Sequence, residues 1–242
     1  MYRGYSINVC FSRFVFLLFV ALANVFGESP AEAADNFFLR TWRADDGLPD
    51  NSIMSITQTH DGYLWLATYA GLARFDGIRF TIFNSAKTPG LQSDRFSSVF
   101  EDAAGNLYIG HEHGELTRYQ GGKFETSLVH ETGARRKITG INQDETGEVW
   151  MLNEEGTLVR ARDGASCSLA NVNGVASLAR DQSGHLWVAS NGQLAPLKNQ
   201  ALHPLTSTNG FTDEYVQGIC VCRKGGLWVV TPGHVRQWRD GV

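Results

Sequence analysis

One phrase, Asp61-Gly62-Tyr63-Leu64-Trp65-Leu66-Ala67-Thr68, returns in altered form four more times, so the chain must fold into something built from five similar units. The returns are Asp102-x-x-Gly105-Asn106-Leu107-Tyr108-Ile109, Asp144-x-x-Gly147-Glu148-Val149-Trp150-Met151, Asp181-x-x-Gly184-His185-Leu186-Trp187-Val188 and Lys224-Gly225-Gly226-Leu227-Trp228-Val229. Their aromatic anchors, Trp65, Tyr108, Trp150, Trp187 and Trp228, stand 43, 42, 37 and 41 residues apart. A period of about forty residues, with glycine and an aromatic residue in each unit, points to the blades of an all-β propeller.

The match extends well beyond the phrase. Nine residues before each glycine stand Ile53, Phe96, Ile138, Val175 and Val216, and six before it stand Ile56, Val99, Ile141, Leu178 and Ile219. Aliphatic residues and one methionine occupy the second and fourth positions after it in every unit, from Leu64 and Leu66 to Leu227 and Val229. The position seven before it holds only small residues (Ser55, Ser98, Gly140, Ser177, Gly218), as crowded inner strands require.

Each unit reads as four strands. In the first unit they begin near 53, 64 and 72, followed by Phe80-Thr81-Ile82-Phe83. Asp102, Asp144 and Asp181 each open a turn that a glycine three residues later closes, so these aspartates belong to hairpins rather than to an acid site. A second glycine (Gly71, Gly114, Gly156) leads into the third strand, where Arg74, Arg118 and Arg160 follow. The second strand is apolar at successive positions, which suits a sheet covered on both faces. A single unit buries too little apolar surface to offset the entropy of ordering about forty residues, so the units must stack. The segment 37–42 reads as an additional outer strand, of the kind that closes a ring. The sequence stops after the third strand of the fifth unit, which leaves a small five-bladed ring closed by 37–42 as the alternative; the expectation is a larger ring, seven-bladed by the resemblance given below, of which these five units are part.

The first thirty residues follow another logic. Arg3 and Arg13 precede the apolar run 14–26, and Ala31-Glu32-Ala33 supplies small residues for cleavage, so 1–33 reads as a signal peptide and 34–242 as the exported propeller. Of the four cysteines, Cys10 would be lost with the signal, leaving Cys167, Cys220 and Cys222, an odd number that argues against a disulfide framework. Cys220 and Cys222 alternate in a strand pattern and read as small core residues on one face. With a net charge of -4 and no Lys/Arg run longer than three residues, the chain lacks the electrostatic footprint of a nucleic-acid binder.

The phrases Gly47-Leu48-Pro49-Asp50-Asn51-Ser52-Ile53, 61–68 and Gly71-Leu72-Ala73-Arg74-Phe75-Asp76-Gly77 resemble the two-component regulator propeller repeat. The resemblance is specific in the first unit and reduces to glycine, aromatic and aliphatic anchors in the later ones. It implies a seven-bladed periplasmic sensor region of a histidine kinase, hybrid two-component protein or diguanylate cyclase, commonly reading carbohydrate breakdown products. Kinase or cyclase chemistry would then reside in C-terminal signalling domains outside this chain, anchored at the inner membrane, and a homodimer is an arrangement open to the intact protein. No catalytic residue and no cofactor is expected in the chain itself.

In a propeller, the loops entering the innermost strand and those joining strands two and three share one face around the channel. The first set offers Asp50, Asn51, Asp94, Arg95, Arg136 and Glu214; the second offers Tyr69, His113, Glu154 and Asn191. Amides, carboxylates, guanidinium groups and an aromatic ring suit an oligosaccharide or another small polar ligand, although solvated loops carry similar residues. His111-x-His113 would share a strand face as half of a metal site, but no second pair recurs with ligand spacing, so no metal is expected. The alternatives are a metal-dependent enzyme resembling streptogramin lyases, in which His111 and His113 would have to serve, and an assembly scaffold. Sialidase-type aspartate boxes fit poorly, because their aspartate stands two residues before the glycine rather than three.

Overall fold

Antiparallel hairpins are the local answer to the repeated turn. The computed structural model describes residues 39–128, 135–168, 176–190, 192–205 and 216–239, and the proposed signal peptide lies outside them. Residues 42–242 form one compact unit; of the other, 1–41, only 39–41 are described. The first blade comprises β1 (Ile53–Gln58), β2 (Leu64–Thr68), β3 (Gly71–Phe75) and β4 (Phe80–Phe83), and the second β5 (Phe96–Glu101), β6 (Leu107–His111), β7 (Glu115–Gln120) and β8 (Lys123–Leu128). The third holds β9 (Ile138–Gln143), β10 (Val149–Asn153), β11 (Thr157–Arg160) and β12 (Ser166–Ser168). The fourth holds β13 (Ala176–Arg180), β14 (Leu186–Ser190), β15 (Gln193–Lys198) and β16 (Ala201–Leu202), and the fifth β17 (Gly218–Val221), β18 (Leu227–Thr231) and β19 (His234–Trp238). Each sheet runs in sequence order, as the repeat predicts.

The hairpin aspartates hold their turns from inside. Asp144 Oδ1 accepts the backbone N–H groups of Thr146 (2.9 Å) and Glu148 (3.0 Å), while its Oδ2 accepts the indole N–H of Trp150 at 2.8 Å. Asp181 repeats this with Ser183, His185 and the Trp187 indole (2.8 Å). One carboxylate therefore shapes the turn and orients the blade's largest core side chain. The repeated arginine stacks on the same ring, with Arg74 5.6 Å from Trp65 and Arg160 5.7 Å from Trp150.

The aromatic anchors of the first four blades pack forward, onto the next blade. Trp65 shares a cluster with Phe96, Leu107 and Ile109, Trp150 with Leu186 and Val188, and Trp187 with Ile219, Leu227 and Val229. The small position near the axis lets inner strands touch: Ser55 Oγ accepts Val99 N–H at 3.2 Å, and Ser177 Oγ accepts Ile219 N–H at 3.1 Å. Leu48 and Trp42 cover the opposite face of the first blade over Leu66 and Phe75. Among the described residues the first and fifth blades share no apolar cluster, and Ile56 of β1 and Val235 of β19 stay exposed (58% and 64%).

Two expectations are corrected. Residues 39–42 join no sheet, and 37 and 38 lie outside the described residues; an extended apolar segment becomes a strand only where a neighbour offers a ladder. Cys220 and Cys222 do not share a buried face, because β17 ends at Val221. Cys220 is exposed opposite Trp228, whereas Cys222 is buried in the following turn, its sulfur accepting from the Gln237 amide at 3.2 Å.

Candidate functional site

Two repeat positions build one face of the molecule. The residue immediately before the inner strand is Ser52 in the first blade, Arg95 in the second and Lys137 in the third; the residue just after the second strand is Tyr69, Glu112 or Glu154. Within a blade the two positions are tied through the backbone, since Glu112 N–H donates to Arg95 O (3.1 Å) and Glu154 N–H to Lys137 O (2.9 Å). The ladder thus continues past the strand ends and fixes both side chains at the loop face.

Three blades then converge on Tyr69. The Arg95 guanidinium lies 4.6 Å from the centre of its ring, and Lys137 Nζ donates to its hydroxyl at 2.9 Å. Arg95 is also paired with Glu112. That hydrogen bond pushes the arginine above its usual pKa range and holds the Glu112 carboxyl below its own, so both remain charged near neutrality. Around this centre Arg136 pairs with Glu155 (2.8 Å) and Arg135 with Glu115 (3.6 Å). A Cβ on Gly114, whose φ is +83°, would lie 3.0 Å from Arg136 O; glycine lets the second blade's hairpin rest directly on the third blade's incoming loop. The result is a half-buried aromatic ring held between fixed cations, with carboxylates at the margin.

Behind this surface lies a buried relay. Thr126 Oγ1 donates to Gly90 O (2.6 Å), so the Thr117 hydroxyl donates to Thr126 (2.6 Å) and accepts from His111 Nε2 (2.7 Å). His111 is therefore the Nε2–H tautomer, fully buried, with Nδ1 unpartnered. Burial pushes its pKa down to about 4, against a smaller upward pull from Glu115.

Several predicted residues do other work. Asp50 Oδ1 accepts Ser52 N–H (2.7 Å), Asn51 Oδ1 accepts Ala44 N–H (2.8 Å) and Asp94 Oδ1 accepts Ser85 N–H (2.6 Å), so all three brace incoming loops. Glu154 Oε1 lies 3.4 Å from Lys137 N. Tyr69, Arg95, Arg136 and Glu154 come from the three blades that converge here, while Asn191 and Glu214 lie outside the described residues. His113 does not share a strand face with His111: β6 ends at His111, and His113 sits in the hairpin turn, exposed. Among the described residues no three of His, Cys, Asp and Glu gather as a metal would need. Lys137 was missed, yet it occupies the same repeat position as Arg95, which was the available signal.

Residues 47–70 match the two component regulator propeller family. No curated protein matches the chain. The extracellular domain of a hybrid two component system from B. thetaiotaomicron superposes with a TM-score of 0.62 at 20% identity, over 81% of this chain and 28% of that one. Virginiamycin B lyase from Staphylococcus aureus superposes at 0.61 with 15% identity, covering 77% of this chain and 69% of the lyase. A gluconolactonase from Xanthomonas campestris does so at 0.53 with 14% identity, over 77% and 72%. The fold is thus a propeller carrying a two-component regulator repeat, and the chain spans little more than a quarter of the length of the hybrid-system domain.

Proposed function

We propose that this chain, a propeller with a two-component regulator repeat at its first blade, is the ligand-sensing part of an exported signal-transduction protein. The observation that carries the reading is the convergence of Tyr69, Arg95 and Lys137 from three successive blades. An aromatic face with fixed donors beside it is the equipment for stacking a sugar ring and hydrogen-bonding its hydroxyls, so an oligosaccharide or other small polar ligand is the proposed occupant. Because the ring is shared between blades, occupancy would alter how the blades sit on one another and pass a change of shape to signalling domains beyond this chain. Periplasmic placement, the signal peptide and a homodimeric intact protein belong to the same proposal.

The lyase and lactonase likenesses raise an enzyme as the second reading. Among the described residues His111 and His113 do not form a metal site, since the His111 Nε2 is committed to Thr117 inside the blade and His113 stands apart in the turn.

Thermal-shift screening against neutral and acidic oligosaccharides tests the proposal, because a ligand bound only by the folded form raises its melting temperature. A hit should be lost in Tyr69→Ala and weakened about tenfold in Lys137→Ala, the scale of one lost charge-assisted hydrogen bond. Metal-dependent turnover without any sugar-induced shift would favour the enzyme instead.

A further inference from the structure

The interfaces between blades are filled unequally. Opposite Leu72 of the first blade stands Phe83; opposite the equivalent leucines, Leu116, Leu158 and Leu194, stand Ser127, Cys167 and Leu205. The residue reaching back from the following blade is Tyr119 in the second, Ala161 in the third, Leu197 in the fourth and Trp238 in the fifth. Between the first and second blades, Trp65, Phe83, Tyr119 and Phe124 close the gap, with Trp65 5.2 Å from Tyr119 and Phe83 5.2 Å from Phe124 across it. Between the fourth and fifth, Trp187 meets Trp238 at 4.8 Å. Between the second and third, every filler is reduced: Tyr108 replaces the tryptophan, Ser127 the phenylalanine and Ala161 the larger side chain.

What remains there is a cleft of about 430 Å³, within the range of small-molecule pockets. Leu116, Val149, Ala161 and the Tyr108 ring make its apolar walls. Its rim alternates in charge, with Arg118 3.3 Å from Glu125 and Arg162 2.7 Å from Glu148. These ion pairs are solvent-exposed, so exchanging one partner for a ligand group costs little. Burial pushes the Tyr108 hydroxyl up in pKa, which keeps it a neutral donor and acceptor. The cleft lies toward the strand ends that carry the Gly147 turn, the opposite ends from those bearing Tyr69.

We propose that the cleft between the second and third blades is a separate ligand site for an apolar α-amino acid, its side chain replacing the missing interblade ring and its carboxylate and ammonium meeting the guanidinium and carboxylate groups of the rim. The ring-sized apolar volume and the paired opposite charges are what this class of molecule combines. The site does not depend on the sensor reading of the Tyr69 face.

Calorimetric titration of the chain with L-phenylalanine, L-leucine, phenylacetate and phenethylamine tests it. Saturable binding of an amino acid is expected, with the singly charged analogues about tenfold weaker for want of one charge-assisted hydrogen bond. Ala161→Leu should abolish binding while leaving the melting temperature equal or higher, Glu148→Gln should weaken it, and Tyr69→Ala should leave it unchanged. Should Ala161→Leu fail to fold, Glu148→Gln and Arg162→Gln decide the matter from the surface. No saturable binding of any of the four probes, or binding indifferent to the cleft variants, overturns the proposal.

Discussion

At the scale of single residues, His111 is the most exacting commitment in the molecule. Its pKa of about 4 lies below the ordinary 6.5, so the unfolded chain takes up a proton that the folded one refuses. Stability is full above about pH 6.5 and falls as the pH drops toward 4, by about 3 kcal/mol in all at 1.36 kcal/mol per pKa unit. His111→Gln, whose amide can still reach Thr117, should flatten that slope in denaturant melts taken between pH 4 and 7. The same scale explains what sequence reading could not separate. Asp50, Asn51 and Asp94 are the residue types that bind ligands and equally the types that brace loops, and only coordinates show which backbone N–H each one meets. Lys137 escaped notice for the converse reason: the repeat position it shares with Arg95 says where it lies but not what it meets, and its meaning comes from Tyr69, 68 residues away in the chain.

At the scale of elements, the blades were legible because turn chemistry and anchor spacing agree. Glycine positions, hairpin aspartates and alternating apolar residues each demand the same four-stranded unit, and in the first blade the strands begin within a residue of where those signals put them. The cleft was not legible, since it arises from the combined size of three side chains on two blades. Close approach can be tested where β6 meets the next inner strand: a Cβ on Gly110 would lie 2.3 Å from Ser98 Oγ and 2.8 Å from Ile138 Cβ. Gly110→Ala should therefore cost about 1 to 3 kcal/mol through overpacking. Gly121→Ala, at a positive φ of 57° but with open space around it, should cost about 1 kcal/mol or less. Equilibrium urea unfolding of the two variants makes the comparison.

At the scale of the whole molecule, the forward packing of the anchors leaves a directional imbalance. Trp65, Trp150 and Trp187 are buried by a succeeding blade, whereas Trp228 of the fifth blade remains 38% exposed beside Cys220. An apolar sheet face of this kind favours association, so the isolated chain should show concentration-dependent oligomers in light scattering, and Trp228→Lys with Val235→Lys should reduce them. The same polarity reaches into biosynthesis. A polypeptide lengthening from its amino end carries one unsheltered anchor ring at its newest hairpin, and each arriving hairpin hides the last one while baring its own. Maturation would thus move as a wave, with a single sticky crest for a chaperone to guard at any moment.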